Sequence, residues 1–276
     1  MSSVAEREAK VRRPGLRLAC WLSVSAFLFS PPFASSQGLA PAGQNAPAAG
    51  TTIDPKAQEL LDRAIQALGG AAFLGFKRLS SSGRIFAIAD GITAGFAPFE
   101  SLVEFPDKRR FSYGKKQPVI LINNGDQAWE LDKYGLTSQL PEQVHRWKLA
   151  TRYGLENLLR RRIREPGILI QDGGVDFVDN VPTRVVDVIE KEEVEVKLFL
   201  NRQNFLPVRI SYRVRHPQTG EWDNYADVYG DYQKIQEIQT PMHIARFLND
   251  ERIGEIFRNN ARYDENFPPG TFDPAR

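Results

Sequence analysis

The stretch Trp222-Asp-Asn-Tyr-Ala-Asp-Val-Tyr-Gly-Asp231 is the first place to look for chemistry, because Asp223, Asp227 and Asp231 recur every four residues. On a strand the first two share a face, and two carboxylates on one face are what a secreted hydrolase would use as acid and base. Neither a partner base nor an aromatic sugar platform accompanies them, so the favoured reading is solvated acids beside a turn. The three histidines, His145, His216 and His243, are scattered, and no two stand at metal-ligand spacing. A Gly-rich phosphate loop and a Gly-x-Ser-x-Gly elbow are both missing. We therefore assign no catalytic residue, no metal and no cofactor from the sequence.

The single cysteine, Cys20, belongs to a leader. Arg7, Lys10, Arg12, Arg13 and Arg17 form a basic region ahead of the apolar run Leu18 to Phe29, and Pro31-Pro32 and Ala34-Ser-Ser36 supply a break and small residues. This is a secretory signal peptide, residues 1–36, cleaved near Ser36, with an apolar run short of the ~20 residues a bilayer helix needs. Cleavage removes five basic and two acidic residues and takes the formal net charge from +2 to −1, which gives no basis for nucleic-acid binding. It also leaves a thiol-free chain that depends on its core alone, and its length suffices for that. Residues 37–53, rich in Ala, Pro, Gly, Gln and Asn, form a flexible linker, and residues 54–276 form one domain in the periplasm.

The elements that would position any site begin with Asp54-Pro55, an N-cap followed by a proline in the first turn. Ala57, Leu60, Leu61, Ala64, Ile65 and Leu68 then fall at helical spacing, and Gly69-Gly70 ends the run. Beyond it the period is two. Strands are predicted at 79–89, 98–105, 109–113, 119–123, 127–132, 174–178, 181–190, 223–229, 242–248 and 253–261. The central hairpin sets Val194, Val196, Leu198 and Leu200 against Leu206, Val208, Ile210, Tyr212 and Val214 across the turn Asn201 to Phe205. Arg209 and Arg213 fall on its wet face. Only Pro141 to Ile163 breaks the pattern, as a helix or a pair of helices bent at Gly154. They end in Arg160-Arg-Arg162 and Arg164, a basic cluster suited to anionic headgroups, or simply to water.

Several segments occur in a familiar order. They are the helix ending at Gly69-Gly70, Arg78-Leu-Ser-Ser-Ser-Gly-Arg84, Val103-Glu-Phe-Pro-Asp-Lys-Arg-Arg-Phe111 and Ile122-Asn-Asn-Gly-Asp-Gln-Ala-Trp129. Phe199-Leu-Asn-Arg-Gln-Asn-Phe-Leu-Pro-Val-Arg209, Gly230-Asp-Tyr232 and Thr240-Pro241 follow. In this order the chain resembles the periplasmic outer-membrane lipoprotein-sorting (LolA/LolB-like) superfamily over most of residues 54–267. The resemblance implies a mainly β (α+β) fold, an unclosed antiparallel β-barrel, or half-barrel, with helices covering its concave face and a hydrophobic cavity for acyl chains between them.

In such a curled sheet Phe99, Val103, Phe105, Phe111, Leu121, Trp129, Val196, Leu198, Val208, Ile210 and Tyr212 would line one concavity. Burying an acyl chain of about fourteen carbons at ~0.8 kcal/mol per methylene supplies on the order of 10 kcal/mol before costs, enough for a carrier without a polar anchor. The expectation is a non-enzymatic carrier of lipid or lipoprotein acyl chains that contacts the membrane surface transiently and works with an envelope transport or receptor protein. The alternatives are a lipid-sensing regulatory domain of the same fold, the carboxylate hydrolase above, and a purely structural envelope module.

Overall fold

The structure, a computed structural model, describes residues 52–190 and 194–274. The expected signal peptide and nearly all of the expected linker lie outside the described residues. The linker's last two residues, expected to be irregular, are instead a short strand, β1 (Thr52–Ile53), paired in parallel with Leu169 and Ile170.

Helix α1 (Pro55–Leu68) starts as its sequence dictates. The Asp54 carboxylate accepts from the Lys56 and Ala57 amides at 2.7 and 3.3 Å, satisfying donors that have no partner inside the helix. All six residues at helical spacing, Ala57 to Leu68, are buried. Gly69 ends the helix at a φ of 126°, and a Cβ there would collide with the Glu237 carbonyl, so conformation and space both require glycine. A short α2 (Ala71–Gly75) leads into β2 (Arg78–Ala89), β3 (Ile92–Glu104), β4 (Lys108–Tyr113), β5 (Val119–Asn124), β6 (Gln127–Asp132) and β7 (Gly135–Ser138). Then come α3 (Pro141–Tyr153) and α4 (Leu155–Arg160), separated at Gly154 as the sequence predicts, and a 3-10 turn at Arg162–Arg164. The chain finishes with β8 (Leu169–Val178), β9 (Val181–Ile189), β10 (Glu195–Asn201), β11 (Pro207–Arg215), β12 (Trp222–Ile235), β13 (Ile238–Leu248) and β14 (Glu251–Tyr263).

All fourteen strands form one sheet in the order β1-β8-β9-β10-β11-β12-β13-β14-β2-β3-β4-β5-β6-β7. Each strand pairs with a sequence neighbour except where β14 pairs with β2 and β1 with β8, and every pairing but β1 with β8 is antiparallel. The order ends at β7 on one side and β1 on the other, and the described residues contain no pairing between those ends, so the sheet is unclosed. The fold is therefore the half-barrel that the resemblance implies. Two findings differ from the sequence reading. β7 was not predicted, and the strands of the C-terminal half run longer, β12 by six residues past Tyr229. After β14 the tail crosses the outer face of the sheet. There Arg110 donates to the Thr271 carbonyl, Arg78 and Lys108 approach the rings of Phe267 and Phe272, and Phe272 is buried.

Candidate functional site

Strand register sorts each side chain to the concave or the outer face. One concave row runs Val186, Leu198, Ile210, Asp227, Arg246; another runs Ile170, Val188, Val196, Tyr212, Tyr225. Farther round, Leu79 faces Val103, Arg109 and Asn123, while Ser101 faces Phe111, Leu121 and Glu130. α1 and α4 close one part of this surface. Leu61, Leu68, Leu158 and Leu159 are fully buried against Ile170, Val186, Val188, Val196, Leu198, Leu200 and Ile210 in a continuous core.

The expected lining residues are divided by this arrangement. Val196, Leu198 and Ile210 are sealed in that core, and Val103, Phe105 and Tyr212 pack at its edge, half-buried. Phe99 and Phe111 form a second cluster with Ile85, Ala97, Tyr113 and Ile256, with the two phenyl rings stacked at 5.4 Å. Leu121 is buried beside Phe111. Two residues do not share the concavity. Trp129 pairs with Ile122 and so faces outward, and Val208, beside the bulge at Phe199/Leu200, packs outside on Val178, Val185 and Phe199.

α3 covers the remaining concave surface, and its contacts differ in kind. Gln143 is buried, accepts from the Leu140 amide and hydrogen-bonds Glu130, whose carboxyl is raised by burial and by Asp132 despite that bond. Trp147 is buried, Lys148 pairs with Asp126 at 2.5 Å, and the Tyr153 ring lies 4.8 Å from Tyr212. His145 has Asp223 and His216 as charged neighbours, and burial, then His216, lower its pKa. Polar contacts of this kind contribute little net stability, because water replaces them when they break.

Beneath α3 lies an unexpected cluster of charge. Asp227 pairs loosely with Arg246, with 3.4 Å between carboxylate and Nε. Both side chains sit mid-face on the sheet, yet they remain 26% and 33% exposed, as groups lining a hollow do. Burial raises the Asp227 pKa, and Arg246 and Arg258 oppose the rise. Arg109 donates to Asn123 Oδ1 at 3.2 Å, and burial together with the Arg246 charge pushes its pKa down to about 10. Arg258 donates to the Pro241 carbonyl at 2.9 Å, and it points inward because a bulge between Arg258 and Asn260 follows it. The opposing residue is Gly83, where a Cβ would overlap the Phe257 carbonyl. The Nε atoms of Arg109, Arg246 and Arg258 are buried without a hydrogen-bond partner, at a cost of about 1–3 kcal/mol for each unsatisfied donor. A cavity of about 120 Å³ lies between Arg109, Arg258, Val103, Phe105, Trp147, Glu156 and Asn157. A larger cleft of about 340 Å³ opens beside it at Asp107, Asp126, Lys148, Arg152 and Arg161.

The other sequence candidates resolve plainly. Asp223 and Asp227 share the concave face as predicted, but four residues at ~3.3 Å each hold their Cα atoms about 13 Å apart, and Asp227 is engaged with Arg246. His216 Nδ1 accepts two turn amides, and His243 stacks on Phe257 at 4.3 Å on the outer face. Among the described residues no cluster of three or more His, Cys, Asp or Glu side chains could hold a metal, and no helix is long and apolar enough to cross a membrane. The basic cluster is divided: Arg160 and Arg162 turn inward, whereas Arg161 and Arg164 stay exposed. The Arg160 guanidinium stacks on Phe76 at 4.0 Å, Arg162 is buried between Glu165 and Glu190, and Arg164 donates to the Arg160 carbonyl. The inward arginines were missed because Lys108-Arg109-Arg110 reads locally as three equivalent cations; only register decides which one points inward.

The geometry defines an unclosed antiparallel half-barrel with one part of its concave face packed by α1 and α4 and the other covered by α3. Among solved structures it is similar to a DUF1329 family protein from Desulfovibrio piger, with a TM-score of 0.53 at 10% identity, covering 79% of this chain and 97% of that one. An outer-membrane lipoprotein-sorting protein domain from Vibrio parahaemolyticus gives a TM-score of 0.49 at 9% identity, covering 79% and 97%. A LolA superfamily protein from Nitrosomonas europaea gives 0.49 at 13%, covering 78% and 96%. At these identities the first likeness speaks for the fold alone, and no argument rests on the other two. No family model matches the chain, and no curated protein matches its sequence.

Proposed function

We propose that this protein is a non-enzymatic carrier of lipidic ligands, exported to the periplasm with its leader cleaved near Ser36, taking up an acyl chain beneath α3. The observation that carries the reading is the contrast in cover. Under α1 and α4 the concave face is dry and full, whereas under α3 it keeps half-exposed Val103, Phe105, Phe111, Tyr212 and Tyr225 below a lid held mainly by polar contacts. The cavity of about 120 Å³ is too small for an acyl chain, so uptake on this reading requires α3 to swing away. Of the expected lining residues, Phe99, Val103, Phe105, Phe111, Leu121 and Tyr212 are the ones such a movement would offer to a ligand. Val196, Leu198 and Ile210 would stay in the core. A donor or acceptor protein in the envelope is the natural partner of a carrier that holds its cargo behind a lid.

Trp147, buried under α3, is the reporter for the test. Brominated fatty-acyl chains added to delipidated protein are expected to quench its emission at one chain per protein, and the quenching should vanish in Trp147→Phe. If delipidated wild-type protein neither retains an acyl probe nor shows quenching, the carrier reading is wrong.

A further inference from the structure

The arginines beneath the lid have no role in holding an acyl chain, and they are poorly provided for by the protein itself. Arg109 has a neutral amide oxygen as acceptor, Arg258 has a backbone carbonyl, and Arg246 has a carboxylate at 3.4 Å that is too badly aimed to be a hydrogen bond. Each keeps a buried Nε–H without an acceptor. Elsewhere in this molecule Arg184 shows a fuller match: its Nη2 donates to both Asp172 oxygens at 3.0 and 3.2 Å and its Nε to the Gly174 carbonyl at 3.2 Å. Two acids stand among these three guanidinium groups: Asp227, near Arg246 and Arg258, and Glu156, which lines the cavity with Arg109 and Arg258 and makes no ion pair with either. At the mouth Lys108 and Asp107 offset one another, so a net positive charge remains inside. Donors without acceptors, positive charge and a cavity with room for an oxyanion and a few waters, at about 30 Å³ per water, together describe an anion site.

We propose that the ligand carries an anionic headgroup, a phosphate or carboxylate, which sits between the guanidinium groups of Arg109 and Arg258 with Arg246 behind them. The proposal rests on the carrier reading for the chain attached to that headgroup, but not for the anion site itself. The apolar cluster of Phe99, Phe111 and Ile256 shares the concave face with these arginines, so head and tail can be satisfied on one surface. The lid then has a second task. By excluding water it strengthens the contact between the anion and the arginines, and loading and closure favour one another.

The test uses the full, delipidated chain and three probes: myristoyl lysophosphatidic acid, monomyristoylglycerol with the same chain but no phosphate, and inorganic phosphate alone. The anionic amphiphile is expected to bind at least about tenfold more tightly than the glyceride, and phosphate alone only weakly. That advantage should disappear in Arg258→Gln and Arg109→Gln, while the affinity of the glyceride stays unchanged. Arg258→Lys, which keeps the charge, should retain part of it. Should Arg109→Gln fail to fold, Arg258→Gln and Arg258→Lys carry the comparison, with thermal melts as the control. Equal binding of both amphiphiles by wild-type protein would overturn the headgroup proposal and leave the carrier standing. Arginine-dependent binding of phosphate with no preference for the chain would keep the anion site and overturn the carrier, and binding of none of the probes would overturn both.

Discussion

The surface under α1 and the surface under α3 belong to one sheet, but they are closed in opposite ways. α1 contributes six buried aliphatic residues, an aspartate cap and a glycine stop lodged against the Glu237 carbonyl. α3 contributes one glutamine, one tryptophan and one tyrosine to the buried side, with Leu149 packed at the core's edge, and is otherwise fastened by charged and amide contacts. Area removed from water at ~25 cal/mol per Å² makes the first closure permanent on the timescale of function, whereas the second exchanges hydrogen bonds with water at small net cost. A half-barrel can thus separate two jobs that a closed barrel would have to combine: α1 completes the core, and on the carrier reading proposed above α3 controls access.

Truncation should expose this asymmetry most strongly. Leu61→Ala, under α1, is expected to lower stability by about 2–5 kcal/mol, read as a fall in the denaturant midpoint at constant m. If it costs under ~1 kcal/mol, α1 is not the seal described here. Next in size is the ion cluster that fastens the start of α1. Asp172 accepts from Lys56, from Arg184 and from the Gly174 amide, and these contacts, the Lys56 bond foremost, hold its pKa at about 2 against an ordinary 3.8. Since the folded pKa is the lower one, the stabilisation is present above pH ~4 and is lost as the pH falls towards 2. Asp172→Asn should therefore cost about 1 kcal/mol at neutral pH, discounted because Lys56 is largely exposed, and the gap from wild type should close on acidification through that window.

Smaller still, Asp54→Ala removes the helix cap and should cost about 1 kcal/mol or somewhat less, with faster amide exchange confined to the first turn of α1. At the low end, Gln143→Ala in α3 should change global stability by under ~0.5 kcal/mol yet speed the uptake of an acyl probe, because it loosens the lid and leaves the core intact. A Gln143 variant that unfolded the protein as readily as Leu61→Ala would erase the distinction between the two helices.

Much of this architecture was readable from residues alone where local signals agree. Asp54-Pro55 and Gly69-Gly70 marked both ends of α1, Gly154 marked the break between α3 and α4, and the alternation from Val196 to Val214 gave the central hairpin. β7 escaped because Gly-Leu-Thr-Ser on a sheet edge has no buried face to impose an apolar period. Val208 was misplaced because it is itself the extra residue of a bulge, skipped between the pairs Phe199–Arg209 and Leu200–Pro207, which turns it to the outer face, and alternation along the strand does not reveal this. Facing errors of the same origin hid the site: Arg109 and Arg258 are ordinary strand arginines until register and the bulge after Arg258 turn them under the lid.

The joint between β14 and β2 also governs how the chain reaches this state. It is the one antiparallel seam that unites partners from opposite ends of the domain, Tyr263 beside Leu79 and Gly254 beside Ala87. Two meanders can zip up early, each from short turns, but they remain separate ribbons with raw edges until the last strand arrives. Assembly is consequently slowest at its final stitch, and a chain cut short before residue 251 would leave both ribbons open to pairing with strangers.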